Sequence, residues 1–181
     1  MAIVGDTKKR ILLTGGIRSG KSAYALELAS LMGKQKVFLA TAEALDDEMN
    51  LRIKNHQLER GDEYQTIEEP LYIADRLKEV GARDVIIIDC LTLWVNNLMF
   101  KLGNDEVKMQ EQKDKFFDFL KQPTCSIIMV TNEVGLGVIP ENKLSRQYIN
   151  MLGRLNQDVA RISDEMIMMI SGIAQQIKKE L

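Results

Sequence analysis

A chain of 181 residues with 45% hydrophobic and 28% charged side chains has the make-up of one globular domain, able to bury about 70% of its unfolded surface without disulfide or metal staples. That composition excludes global disorder. A formal net charge of −2 gives no long-range attraction to nucleic acid or anionic lipid, so neither is expected as a partner, and a small anionic ligand in a local basic pocket fits better.

The first element is an apolar run of strand length at 11–14, which breaks into GGIRSGKS and resumes as a helical pattern over 22–32. The break satisfies G-x-x-x-x-G-K-[ST] through Gly15, Gly16, Ile17, Arg18, Ser19, Gly20, Lys21 and Ser22, with strand before and helix after as a phosphate-binding loop requires. Gly15 and Gly20 permit torsions and close approaches that a Cβ would block, so amide N–H groups converge on phosphate oxygens at a helix N-terminus. Lys21 then offers its charge to the β and γ phosphates and Ser22 a hydroxyl to Mg²⁺. Arg18 either adds a phosphate contact or is simply solvated.

A second strand is expected at 37–41. The stretch 45–69 is less regular, running from LDDEMN through MNLRIKNHQLERG to TIEEP, and its length for a mere connection points to function. A helical pattern at 71–80 leads to the strand VIIID at 85–89. Its terminal Asp89 is expected at the end of a strand neighbouring the loop's own, to hold Mg²⁺ through water or to accept a proton from a nucleophile; capping of the next turn is the structural alternative.

A helix is expected over 107–120, a strand at 126–131 that runs into TNEVGLGVIPEN, a helix over 143–162 and a weaker strand at 166–170. Strands apolar on both faces and separated by helices define an α/β fold, P-loop NTPase-like, with a mainly parallel sheet and helices on both faces. The three prolines fall at element boundaries and no repeat or linker occurs, so residues 1–181 read as a single domain. Cys90 and Cys125, the only cysteines, lie in apolar runs and are expected to be reduced packing residues. The N-terminus MAIVGDTKKR has no signal-peptide order and no stretch reaches the ~18 apolar residues of a membrane span, so a cytoplasmic, non-membrane protein is expected. The ten methionines read as core filling.

Several strings are more specific than the loop. TGGIRSGKSAYALELA, LATAEALDDEM, RIKNHQLER, TIEEP, DCLTLWVNNL, TNEVGLGVIPENKLSRQY and GRLNQDVA, in this order over 10–178, closely resemble the bifunctional adenosylcobinamide kinase / adenosylcobinamide-phosphate guanylyltransferase family of cobalamin biosynthesis. The resemblance implies phosphorylation of the adenosylcobinamide hydroxyl by ATP or GTP. GMP transfer from GTP then follows through a guanylylated histidine, giving adenosylcobinamide-GDP and pyrophosphate. With one histidine in the chain, that role falls on His56. Neutral imidazole is a good nucleophile, and the phosphoramidate it forms is reactive enough to pass GMP on.

Arg52 and Arg60 lie four residues to either side of His56, so on a helix the three share a face. Taken without the resemblance, the same pattern also suits a solvated amphipathic helix. The resemblance places nucleotide contacts on Gly15 to Ser22, on Ala40, Thr41 and Ala42, on Gln57, Leu58, Glu59 and Arg60, on Glu68 and on Asp89, with Ser22 and Asp89 serving Mg²⁺. It further implies a homotrimer. Gly61 and Tyr64 stand where the family usually has proline and tryptophan, a departure that bears on loop stiffness and stacking. Thr131, Asn132 and Glu133, with the loop carrying Gly135 and Gly137, serve structure or face the corrinoid. Two other readings stay open: a kinase alone, and a nucleotide-dependent switch that binds a protein partner.

Overall fold

The structure, a computed structural model, describes residues 8–43, 63–81, 83–103 and 105–179. In chain order the described elements are β1 (Arg10–Gly15), α1 (Lys21–Ser30), β2 (Lys36–Ala40), β3 (Tyr64–Glu68), α2 (Ile73–Glu79), β4 (Val85–Asp89), α3 (Leu91–Leu102), α4 (Glu106–Lys121), β5 (Ser126–Val130), a 3₁₀ turn (Val134–Leu136), α5 (Lys143–Ile162), β6 (Glu165–Ile170) and β7 (Ile173–Lys179). The strands form one sheet in the order β3-β2-β4-β5-β1-β6-β7. All neighbours pair in parallel except β6 and β7, which form an antiparallel hairpin.

The strands that read as continuous apolar runs are those buried on both faces. Ile11, Leu13, Ile87, Ile128 and Val130 point to one face and pack with Ala25 and Ala29 of α1. Leu12, Val37, Leu39, Ile86, Ile88, Ile127 and Met129 point to the other and pack beneath α2, α3, α4 and α5, around Trp94 and Phe116. The small residues on α1 let that helix approach the strands that carry the loop. The longest helix, α5, buries Leu152, Leu155, Asn156 and Val159, a stripe at helical spacing. Its start is set by Asn142, whose side chain accepts from the Ser145 N–H, and that of α4 by Asp105, which accepts from the Lys108 N–H; such caps satisfy amides that have no partner within the helix.

The expected strands and helices are present, with bounds shifted by a residue or two. Three elements were not anticipated. β3 is an edge strand in which only Ile67 is buried, and β7 is an edge strand of exposed, largely polar residues; neither needs the apolar signature of a central strand. α3 is apolar on most sides, because it is covered by the sheet's edge, α4 and α5. One expectation is corrected: the strand ending in Asp89 does not adjoin the loop's strand, because β5 lies between β4 and β1.

Trp94 anchors α3. It is fully buried, meets the Phe116 ring edge-on at 5.1 Å, and its Nε1–H donates to the Leu71 carbonyl at 2.9 Å. Replacing Trp94 by Ala is expected to destabilise the fold by about 3–5 kcal/mol, read as a lowered urea midpoint with little change in slope.

Candidate active site

Parallel strands all end on one edge, and the loop leaves β1 near the centre of that edge. Gly20 caps α1 at φ 94° and Arg18 sits at φ 55°, left-handed torsions that turn the chain sharply into the helix. Gly15, at φ 145°, runs so close to β6 that a Cβ would collide with the Met169 carbonyl oxygen. The β6–β7 turn braces the loop from the side, where the Gly172 N–H donates to the Ser19 carbonyl at 3.0 Å. Gly16, Ile17 and Arg18 remain exposed.

Lys21 is buried, and its ammonium donates to the carbonyls of Gly16 at 2.6 Å and Gly15 at 3.3 Å. It therefore lies folded along the loop, within reach of anything cradled there. Ser22 Oγ–H donates to Asp89 Oδ2 at 2.7 Å, so these two oxygens meet across the intervening β5. Hard oxygen donors in this number suit Mg²⁺, which takes one or two protein oxygens and fills its shell with water and substrate phosphates. Among the described residues no group of three or more His, Cys, Asp or Glu could hold a metal by itself.

Along the same edge Glu68, Ala40, Asp89 and Val130 stand in register, with Glu68 exposed. Thr41 is fully buried. Its hydroxyl donates to the Cys90 carbonyl at 2.7 Å and accepts from the Cys90 N–H at 2.8 Å, while Asn97 Nδ2–H donates to its carbonyl. The Thr41 side chain thus ties β2 to β4, and half-buried Ala40 and Ala42 are the parts of that segment open to a ligand. His56, Gln57, Leu58, Glu59 and Arg60, together with Arg52, lie outside the described residues.

A polar cluster that residue types alone did not assemble stands at the ends of β5 and β1. Thr14, fully buried, donates to Glu133 Oε1 at 2.8 Å. Asn156 on α5 accepts from Thr131 at 2.8 Å and donates to the Asn132 carbonyl at 3.1 Å and to Glu133 Oε1 at 3.4 Å. Thr92 Oγ accepts from the Asn132 N–H at 2.8 Å. The polar TNE triplet after an apolar strand was a visible signal for half of this cluster; Asn156 stood in the string GRLNQDVA, but helical periodicity gave it no role. Both cysteines are free, and burial together with the Asp89 charge pushes the Cys90 thiol up to about 12.

Residues 11–177 match the family described as cobinamide kinase / cobinamide phosphate guanyltransferase. The chain is 38% identical over 172 residues to the bifunctional adenosylcobalamin biosynthesis protein CobP of Pseudomonas aeruginosa (strain PAO1), covering 94% of this chain and 98% of that protein. It is 37% identical over 186 residues to the bifunctional adenosylcobalamin biosynthesis protein CobU of Salmonella typhimurium (strain LT2), covering 93% and 99%. In fold it is similar to a prototypical ATPase from the type III secretion system of pathogenic bacteria, with a TM-score of 0.51 at 11% identity, over 93% of this chain and 56% of that one.

Two outcomes follow from the packing. Gly15→Ala is expected to weaken binding of a fluorescent nucleoside triphosphate by at least about tenfold, because the backbone of β6 blocks the added methyl. With a thiol-reactive dye at pH 8, Cys90 is expected to stay unreacted in the folded protein and to react fully in denaturant, since only the exposed thiolate is nucleophilic.

Proposed function

Because this chain belongs to the cobinamide kinase / cobinamide phosphate guanyltransferase family, we propose that it performs both steps of that name in adenosylcobalamin biosynthesis. First it phosphorylates the hydroxyl of adenosylcobinamide with ATP or GTP. Then it transfers GMP from GTP onto the new phosphate and releases pyrophosphate. The observation that carries the reading is the hydrogen bond between Ser22 and Asp89 beside a complete phosphate loop, in a chain matched nearly end to end by the family.

In the kinase step, backbone amides of residues 15–20 cradle the phosphates at the N-terminus of α1, and Lys21 exchanges its loop carbonyls for β and γ oxygens. Ser22 and Asp89 would hold Mg²⁺, which when bound neutralises phosphate charge. Ala40, Ala42, Glu68 and the segment Gln57, Leu58, Glu59 and Arg60 complete the nucleotide contacts.

The second step breaks a different bond. A ring nitrogen of His56 attacks the α phosphorus of GTP, the bond to the β-phosphate oxygen breaks, and pyrophosphate leaves with the electron pair. The substrate phosphate then displaces His56 from the GMP. Because cleavage moves from γ to α, the nucleotide is presented in two ways to one domain. Assembly as a trimer and a cytoplasmic location belong to the same proposal. Among the described residues, no helix is long and apolar enough to cross a membrane.

Mass spectrometry of adenosylcobinamide after incubation with protein, Mg²⁺ and GTP is expected to show the GDP adduct; an unchanged corrinoid would end this reading. Lys21→Ala is expected to lower kinase turnover by about 10²-fold. With [α-³²P]GTP, the parent protein is expected to carry label and His56→Ala to carry none, while much of the kinase activity survives.

A further inference from the structure

Among the described residues, Glu133 is a carboxylate beside the loop that the two-step reading leaves without a task. Its N–H donates to the Gly15 carbonyl at 3.2 Å, which fixes it beside the first residue of the loop. In the sheet, β5 lies between β4, which ends in Asp89, and β1, which runs into the loop. Glu133 therefore leaves the same strand edge as the phosphate loop and Asp89, with its carboxylate held on the α5 side of the sheet, opposite the α1 side where Ser22 meets Asp89.

The carboxylate is aimed by buried partners. Oε1 accepts from Thr14 Oγ at 2.8 Å and from Asn156 Nδ2 at 3.4 Å. Asn156, 6% exposed, is in turn oriented by Thr131, which is fully buried. No hydrogen bond to Oε2 is made among the described residues, and the side chain is half-buried. Burying polar groups costs free energy, yet two buried side chains donate to one of the two carboxylate oxygens and a third orients one of them. Asp89 is already engaged with Ser22, on the side that suits a metal.

We propose that Glu133 accepts the proton of the acceptor hydroxyl in the kinase step, an inference that rests on the kinase reading above. The hydroxyl oxygen bonds to the γ phosphorus as the bond from that phosphorus to the β–γ bridging oxygen breaks. The electron pair leaves with the nucleoside diphosphate, and the hydroxyl proton passes to Oε2. A base positioned this way contributes about 10²–10⁴-fold. The GMP transfer differs, because its acceptor is a phosphate anion with no proton to surrender. Removal of the base therefore separates the two activities.

The test is Glu133→Gln, whose amide oxygen still accepts from Thr14 but cannot take a proton at neutral pH. Phosphorylation of adenosylcobinamide is expected to fall about 10²-fold in kcat with the nucleotide KM little changed. GMP transfer onto preformed adenosylcobinamide phosphate is expected to fall far less. In Glu133→Ala, added acetate is expected to restore part of the kinase rate. The proposal is overturned if Glu133→Gln keeps kinase turnover within about threefold of the parent, or if both steps fall together with weakened nucleotide binding, which would make Glu133 a brace for the loop. Should Glu133→Gln not fold, absence of acetate rescue in a folded Glu133→Ala would overturn it equally. A parent protein that phosphorylates nothing would instead remove the kinase reading itself.

Discussion

The parallel alignment of β2, β4, β5, β1 and β6 is the constraint on which the site depends. Parallel strands run in one direction, so every strand-to-helix turn emerges on the same edge. Gly15, Ala40, Asp89 and Val130 are thereby set within a few strand spacings of one another, although they are distant in sequence. The short Ser22–Asp89 contact follows: α1 packs over β1, β5 and β4 through Ala25 and Ala29, and its first turn reaches across β5 to the tip of β4.

The edge that holds these groups is polar but largely dry. Thr14, Thr41, Thr92, Thr131, Asn97 and Asn156 are all buried there, and the hydrogen bonds among them join the ends of β2, β4, β5 and β1 to α3 and α5. An apolar layer would pack as well and avoid the desolvation cost. A saturated polar layer instead fixes direction, because each hydrogen bond has a required angle as well as a distance. Phosphoryl transfer is catalysed mainly by positioning and electrostatics, so rigid strand ends serve it better than a deformable apolar seam.

The β6–β7 hairpin adds a second restraint on the loop. Its turn uses Ser171 at φ 51° and Gly172 at φ 84°, and the Gly172 amide holds the Ser19 carbonyl. The far end of the chain thus supports the phosphate loop near its beginning. Close approach of β6 also explains why Gly15 carries no side chain.

By itself the sequence determined the fold class, the phosphate loop, the central strands and the family. Each rests on local chemistry: glycines at fixed spacing, apolar runs of strand length, a stripe at helical period on α5. The edge strands β3 and β7 were hidden because half-exposed strands lack that signature, and α3 was hidden because a helix buried on most sides shows no period. Asp89 was legible as a strand-end carboxylate, yet the placement of β5 between it and the loop was not, since strand order is set by packing of helices on distant segments. Only the tertiary structure decided that the Thr41 hydroxyl is consumed by Cys90, and that Thr14, Glu133 and Asn156 meet. The Thr41–Cys90 contact spans 49 positions and the Thr14–Glu133 contact 119, and hydrogen-bond partners at such range are chosen by the close packing of the whole sheet edge.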